Sequence, residues 1–91
     1  MDQAIWQGVI TGRVQQVGYR RATQQQAHQL GIKGWVRNLP NGQVEVLLCG
    51  SAILLEDMRL WLWQGPPLAK VTDVALKPLV DNNNYTSFEI I

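Results

Sequence analysis

Apolar and polar positions along the chain predict the order β-α-β-β-α-β, followed by one more short strand. Ile5, Val9 and Ile10 run up to Thr11-Gly12 and predict a first strand over 5–13. From Tyr19 the period changes. Tyr19, Thr23, Ala27 and Leu30 recur at spacings of four, four and three, one face of a helix over 19–30. Its other face carries Arg21, Gln24, Gln25, His28 and Gln29, which can stay in water. Gly31 comes next, where a left-handed C-cap is wanted. Residues 32–38, with β-favouring Trp35 and Val36, read as the second strand. The connection contains Asn41-Gly42, a hairpin signal because both residues tolerate positive φ. Residues 43–49 alternate polar and apolar at their start, as a half-buried strand does. Gly50-Ser51 stops that strand, with Ser51 as N-cap of a second helix. Leu54, Leu55, Met58, Trp61 and Leu62 form the apolar stripe of that helix, over 52–64. Gly65-Pro66-Pro67 ends it. Residues 70–79 carry Val71, Val74, Leu76 and Leu79 and read as a long strand. Asp81 to Asn84 is a turn or loop, and 85–91 offers Phe88, Ile90 and Ile91 as a last strand.

Two helices on one face of an antiparallel sheet bury one set of faces against each other. The expected class is therefore α+β, a ferredoxin-like α/β sandwich of βαββαβ order with an extra C-terminal strand. That order hosts many unrelated activities, so function has to be read from particular residues.

At 91 residues the chain supports one small domain, taken as 1–91. Hydrophobic residues make up 46%, enough for a packed core. A net charge of +1 gives no reason to expect broad binding to nucleic acid or membrane. No apolar stretch is long enough to span a bilayer. Met1-Asp2-Gln3-Ala4 has no basic segment followed by an apolar run, so no signal peptide is expected. Cys49 is the only cysteine, which rules out an internal disulfide and a cysteine metal cluster. A cytoplasmic monomer is the simplest expectation.

The candidate chemistry lies where the first strand runs through a loop into the first helix. The leading N–H groups of a helix have no intrahelical partner, and the macrodipole is positive there. A phosphate fits such an end. Gly18 would let the backbone turn closely. Arg20 in the first turn opposes the dipole, a conflict that a dianionic ligand would remove. A guanidinium can hold phosphate through two parallel hydrogen bonds. On its own, Arg20 also reads as a solvated arginine beside Arg21. Asn38 has no titratable group, but its amide can accept from water while donating to an oxyanion. On its own, it reads more readily as a cap of the Pro-Asn-Gly turn.

Together the two segments resemble the acylphosphatase family. Members carry Gly-x-Val-Gln-Gly-Val-x-(Phe/Tyr)-Arg and Gly-(aromatic)-Val-(Lys/Arg)-Asn, then three residues, Gly, x and Val. Here the first spans Gly12 to Arg20 and the second spans Gly34 to Val44. The resemblance covers essentially the whole chain. It implies hydrolysis of acyl phosphates to carboxylate and inorganic phosphate, with no metal, no cofactor and no covalent phosphoenzyme. It implies a backbone cradle from Gln15, Gln16, Val17, Gly18 and Tyr19, with Arg20 on the phosphate and Asn38 orienting the attacking water. The chain departs from the pattern at Gln16, which stands where the family has its second loop glycine. If that position needs positive φ, glutamine costs roughly 1–3 kcal/mol. Alternatively the loop shifts and uses Gly18 as its flexible point.

The rival reading is a non-catalytic anion-binding module with the same cradle, impaired by Gln16. An RNA-binding sheet would need aromatics on its central strands, and 43–49 has none. A copper carrier would need paired cysteines. His28, among glutamines, reads as solvated, and Cys49 as a small strand residue without an activating neighbour. Trp61 and Trp63 lie two apart and cannot share a helix face, so one is expected to stay partly exposed. Glu45, Asp57 and Asp73 are scattered and suggest no acid–base pair or magnesium site.

Overall fold

The computed structural model describes residues 3–91, so Met1 and Asp2, the start of the segment considered for a leader, lie outside the described residues. The first strand is β1 (Gln3–Arg13), and the period change at Tyr19 starts α1 (Tyr19–Leu30). Next come β2 (Lys33–Asn38), β3 (Val44–Ser51), α2 (Ala52–Gln64), β4 (Lys70–Pro78) and β5 (Phe88–Ile90). Both helices match their expected spans, and the stop signals explain why. Gly31 ends α1 in the left-handed conformation, and the Ser51 side chain accepts from the Leu54 N–H at the start of α2.

The sheet has five strands in the order β4-β1-β3-β2-β5. β1 pairs antiparallel with β3, from Gln3 opposite Ser51 to Ile10 opposite Val44. β4 and β2 join antiparallel on either side. β5 departs from the expected all-antiparallel sheet, because it runs parallel to β2 with Phe88 opposite Gly34. The reason is topological. Residues 79–87 cross from the β4 edge to the opposite edge, and a strand arriving that way lies parallel to its neighbour. The crossing starts at a Leu79 N–H to Ile5 O bond. Within it Asp81 accepts from the Tyr85 hydroxyl at 2.6 Å and from the Asn83 N–H at 2.8 Å. Those donors hold the Asp81 carboxyl below its ordinary pKa.

Register decides the two faces of the sheet. Ile10, Val36, Val44, Val46, Leu48, Val74 and Phe88 point into the core. There they meet Tyr19 and Ala27 of α1 and Leu55, Met58 and Leu62 of α2. Thr23 is buried on the same α1 face, with its Oγ1 unpaired. The opposite face carries a polar network. The Arg37 guanidinium reaches Glu45 at 2.6 Å and lies over the Trp35 ring, and Gln7 donates to the same carboxylate. Of the paired tryptophans, Trp61 packs on Tyr19 at 6.0 Å between ring centroids. Trp63 is the exposed one.

Tyr19 links the helices. Its hydroxyl donates to the Leu62 carbonyl at 2.7 Å. Four residues on stands Pro66, which has no N–H to serve that carbonyl. The tyrosine therefore caps α2, and burial pushes its own pKa up, keeping it a donor. Tyr19→Phe is expected to lower unfolding free energy by about 1–3 kcal/mol, since it orphans a buried carbonyl. Urea unfolding checks this.

Candidate functional site

The loop from Val14 to Gly18 leaves the end of β1, where pairing with β4 slips between Thr11 and Gly12. Such irregularities at a sheet rim redirect the chain. A Cβ at Gly12 would sit 2.1 Å from the Lys70 carbonyl oxygen, so glycine is what lets the strands pass. The loop is then tied to the far side of the site by one side chain. Gln15 Nε2 donates to Leu39 O at 2.8 Å and to Gln43 O at 2.9 Å, the two ends of the β2–β3 turn. Gln43 in turn donates to Thr11 Oγ1. Amide side chains thus lock the β1–α1 loop to the strand end that carries Asn38.

The loop enters α1 through Gly18, in the left-handed region at φ 78°, with no side-chain cap on the helix. The first backbone bond of α1 runs from Ala22 N–H to Gly18 O at 3.0 Å. Among the described residues, the N–H groups of Gln15 to Gly18 donate to no backbone carbonyl. Those groups and the uncapped helix end form a set of donors with a positive dipole behind them. Nothing lies within 4 Å of a Cβ added at Gly18, so its role is conformational, not to make room.

Gln16 also adopts positive φ, at 63°. It is the sole described residue other than glycine to do so. The alternatives left open by the sequence are therefore both used: the loop turns at Gln16 and again at Gly18. Gln16→Gly is expected to raise unfolding free energy by about 1 kcal/mol or less. Strain relief of roughly 1–3 kcal/mol is partly offset by glycine's larger unfolded-state entropy. A shift in urea midpoint checks it.

Asn38 is the last residue of β2 and sits opposite Val44. It does not cap the β2–β3 turn. That work falls to Asn41, whose Oδ1 accepts from the Gln43 N–H at 3.0 Å. The turn closes through Gly42 N–H to Leu39 O and Leu39 N–H to Gln43 O. Gly42 alone takes positive φ, so this is a three-residue hairpin loop and not the two-residue Asn-Gly form. Freed of that duty, Asn38 holds a buried Oδ1 with no hydrogen-bond partner among the described residues. A buried orphan acceptor is costly, and its persistence needs a reason.

Both segments open onto one cavity of about 500 Å³, lined by Val14, Gln16, Gly18, Tyr19, Arg20, Arg21, Gln24, Gln25, Asn38 and Ile90. The structure thus brings Gln16, Gly18, Tyr19, Arg20 and Asn38 together. Gln15 and Val17 are not in the lining: Gln15 is spent on the turn, and Val17 packs against the core. Arg20 is half-buried, and among the described residues no carboxylate pairs with it. The lining has no carboxylate, imidazole or thiol. Among the described residues, no three metal-ligating side chains cluster. The helical period predicts a solvated face for Arg21, Gln24 and Gln25; Arg21 and Gln25 are exposed, and all three also border the cavity. Gln24 lies four residues beyond Arg20, and Gln25 four beyond Arg21, a spacing that stacks side chains on a helix. Ile90 was unreadable as a site residue, because only the parallel placement of β5 brings it there.

The acylphosphatase family model matches residues 6–90. An acylphosphatase of Nitrosococcus oceani is 54% identical over 82 residues, covering 90% of this chain and 91% of that protein. Among solved structures, an acylphosphatase from Coxiella burnetii superposes with a TM-score of 0.94 at 32% identity, covering 99% of this chain and 94% of that one. The acylphosphatase from Bacillus subtilis gives 0.93 at 31%, covering 97% and 98%.

Proposed function

The chain belongs to the acylphosphatase family and hydrolyses acyl phosphates, and on that premise we propose how its own residues do so. The substrate phosphoryl group sits against the loop N–H groups, with the Arg20 guanidinium on its equatorial oxygens. Asn38 holds the attacking water. The observation that carries this reading is the buried, unpaired Oδ1 of Asn38, in the cavity that Arg20 also lines. A water donating to that oxygen satisfies it and presents a lone pair to phosphorus.

The chemistry asks for little more. The carboxylate leaves well without an acid, so phosphoryl transfer through a loose transition state needs positioning and charge stabilisation. The water oxygen bonds to phosphorus as the phosphorus–acyl oxygen bond breaks, and the electron pair leaves with the carboxylate. With no side chain in the described lining able to accept a proton as a general base, the water's proton passes to a phosphate oxygen. Arg20 and the helix end are aimed before the charge shifts, so they stabilise it without reorganising. Partial burial strengthens their field relative to open water.

The same reading takes the enzyme to act as a single domain, a monomer in the cytoplasm, without metal. The lack of carboxylate, imidazole and thiol groups in the described cavity lining supports the metal-free part of it. Hydrolysis of benzoyl phosphate with chelator present, and with Arg20→Ala as control, is the test. Turnover that survives chelator and is lost in the variant bears the reading out. Phosphate binding without turnover would overturn it in favour of an anion-binding module.

A further inference from the structure

The cradle and Asn38 use only part of the cavity. Volumes near 500 Å³ suit a small organic ligand, more than the phosphoryl group alone. The wall beyond the cradle is made by Arg21, Gln24, Gln25 and Ile90. Gln24 is committed, since its Nε2 donates to the Phe88 carbonyl at 3.0 Å. Arg21 is not. Among the described residues it makes no ion pair, and no carboxylate lines the cavity it faces.

Two consecutive arginines in the first turn of a helix that has no acidic residue there both oppose the dipole. One phosphoryl group with the loop N–H donors accounts for Arg20. It leaves Arg21 as an unmatched cation in the space that the acyl half of the substrate must occupy. Gln25, one turn further along the same helix, adds neutral donors to that wall. Building on the proposed hydrolase mechanism, we infer that Arg21 determines specificity for the acyl half and selects acyl phosphates whose acyl chain carries a second anionic group. The acyl phosphates of dicarboxylic acids are the simplest members of that class. The chain carboxylate pairs with Arg21 while Arg20 keeps the phosphoryl group, so the two charges fix the acyl–phosphate anhydride between them.

The test compares kcat/KM for succinyl phosphate with that for butyryl phosphate, a neutral chain of the same length. The wild type is expected to favour succinyl phosphate, with a preference that shrinks as salt rises. Arg21→Gln is expected to lower kcat/KM for succinyl phosphate by about fivefold, the worth of a good partly exposed ion pair, and to leave butyryl phosphate unchanged. Arg21→Lys keeps most of the preference. Arg21 is exposed, so neither variant threatens folding. Equal losses on both substrates would make Arg21 a general phosphate steering charge, and no loss on either would make it a solvated residue; each overturns the inference while leaving the hydrolase standing. Absence of wild-type turnover on both substrates overturns the hydrolase reading and this inference together.

Discussion

Arg20→Ala is expected to lower kcat/KM for benzoyl phosphate by about 10³-fold or more, the scale on which an arginine acts in phosphoryl transfer. Inhibition by inorganic phosphate should disappear with it. The cause is electrostatic. The site faces a dianion with one half-buried guanidinium and a set of backbone donors, and no carboxylate competes for that guanidinium among the described residues. Removing it leaves the N–H groups and the helix end, which carry only about half a charge between them, and the exposed Arg21 on the wall beyond the cradle. Arg20→Lys separates charge from shape. An ammonium restores the charge but not the planar two-point hold, so it should recover phosphate inhibition better than turnover. Steady-state kinetics with phosphate as product inhibitor reads both quantities. Full turnover in Arg20→Ala would remove the arginine from the mechanism.

Asn38→Ala is expected to act on a different quantity. Turnover should fall by about 10²-fold, comparable to losing one preorganised polar contact in a transition state, while phosphate inhibition stays unchanged. In the proposed mechanism the amide touches the water and not the cradle, so its loss should leave ground-state phosphate binding intact. A second readout distinguishes this from simple damage. The Asn38 Oδ1 is buried and accepts from no protein group among the described residues, so no protein contact depends on it. Alanine breaks no such contact, so the urea midpoint should hold as kcat falls. That combination marks a residue kept for function and not for stability. A parallel loss of stability and activity would instead make Asn38 a structural residue.

Much of the site was legible because its signals are local. A loop that ends in a helix advertises its unsatisfied N–H groups through Gly18 and the period change at Tyr19. Arg20 stood out by breaking the rule about cations at a helix start. The strain at Gln16 was legible as a question, and the backbone answered it with φ 63°. Arg21 and Gln25 are exposed and Gln24 half-buried, as a polar helix face should be, but that pattern gave no sign that they border the cavity. A helical period sorts residues by face but does not say which neighbour covers the polar one. Gln15 shows the limit from the other side. Its sequence position suggested a backbone cradle role, and nothing in the sequence announced that its side-chain amide also spans to the carbonyls of Leu39 and Gln43.

The sequence by itself determined the elements and their stops, the face that each helix buries, and the two segments that meet at the cavity. Those come from periodicity, glycine and proline, which act over a few residues. The tertiary structure alone decided that β5 lies parallel beside β2, bringing Ile90 to the cavity and the Phe88 carbonyl to Gln24. It alone decided that Tyr19 caps the end of α2, and that Asn41 takes over the turn and leaves Asn38 unpaired. Each of these is a pairing between residues distant in sequence, or a competition between two residues for one partner. Such choices are settled by which arrangement satisfies the most buried polar groups at once, and a local pattern holds no record of them.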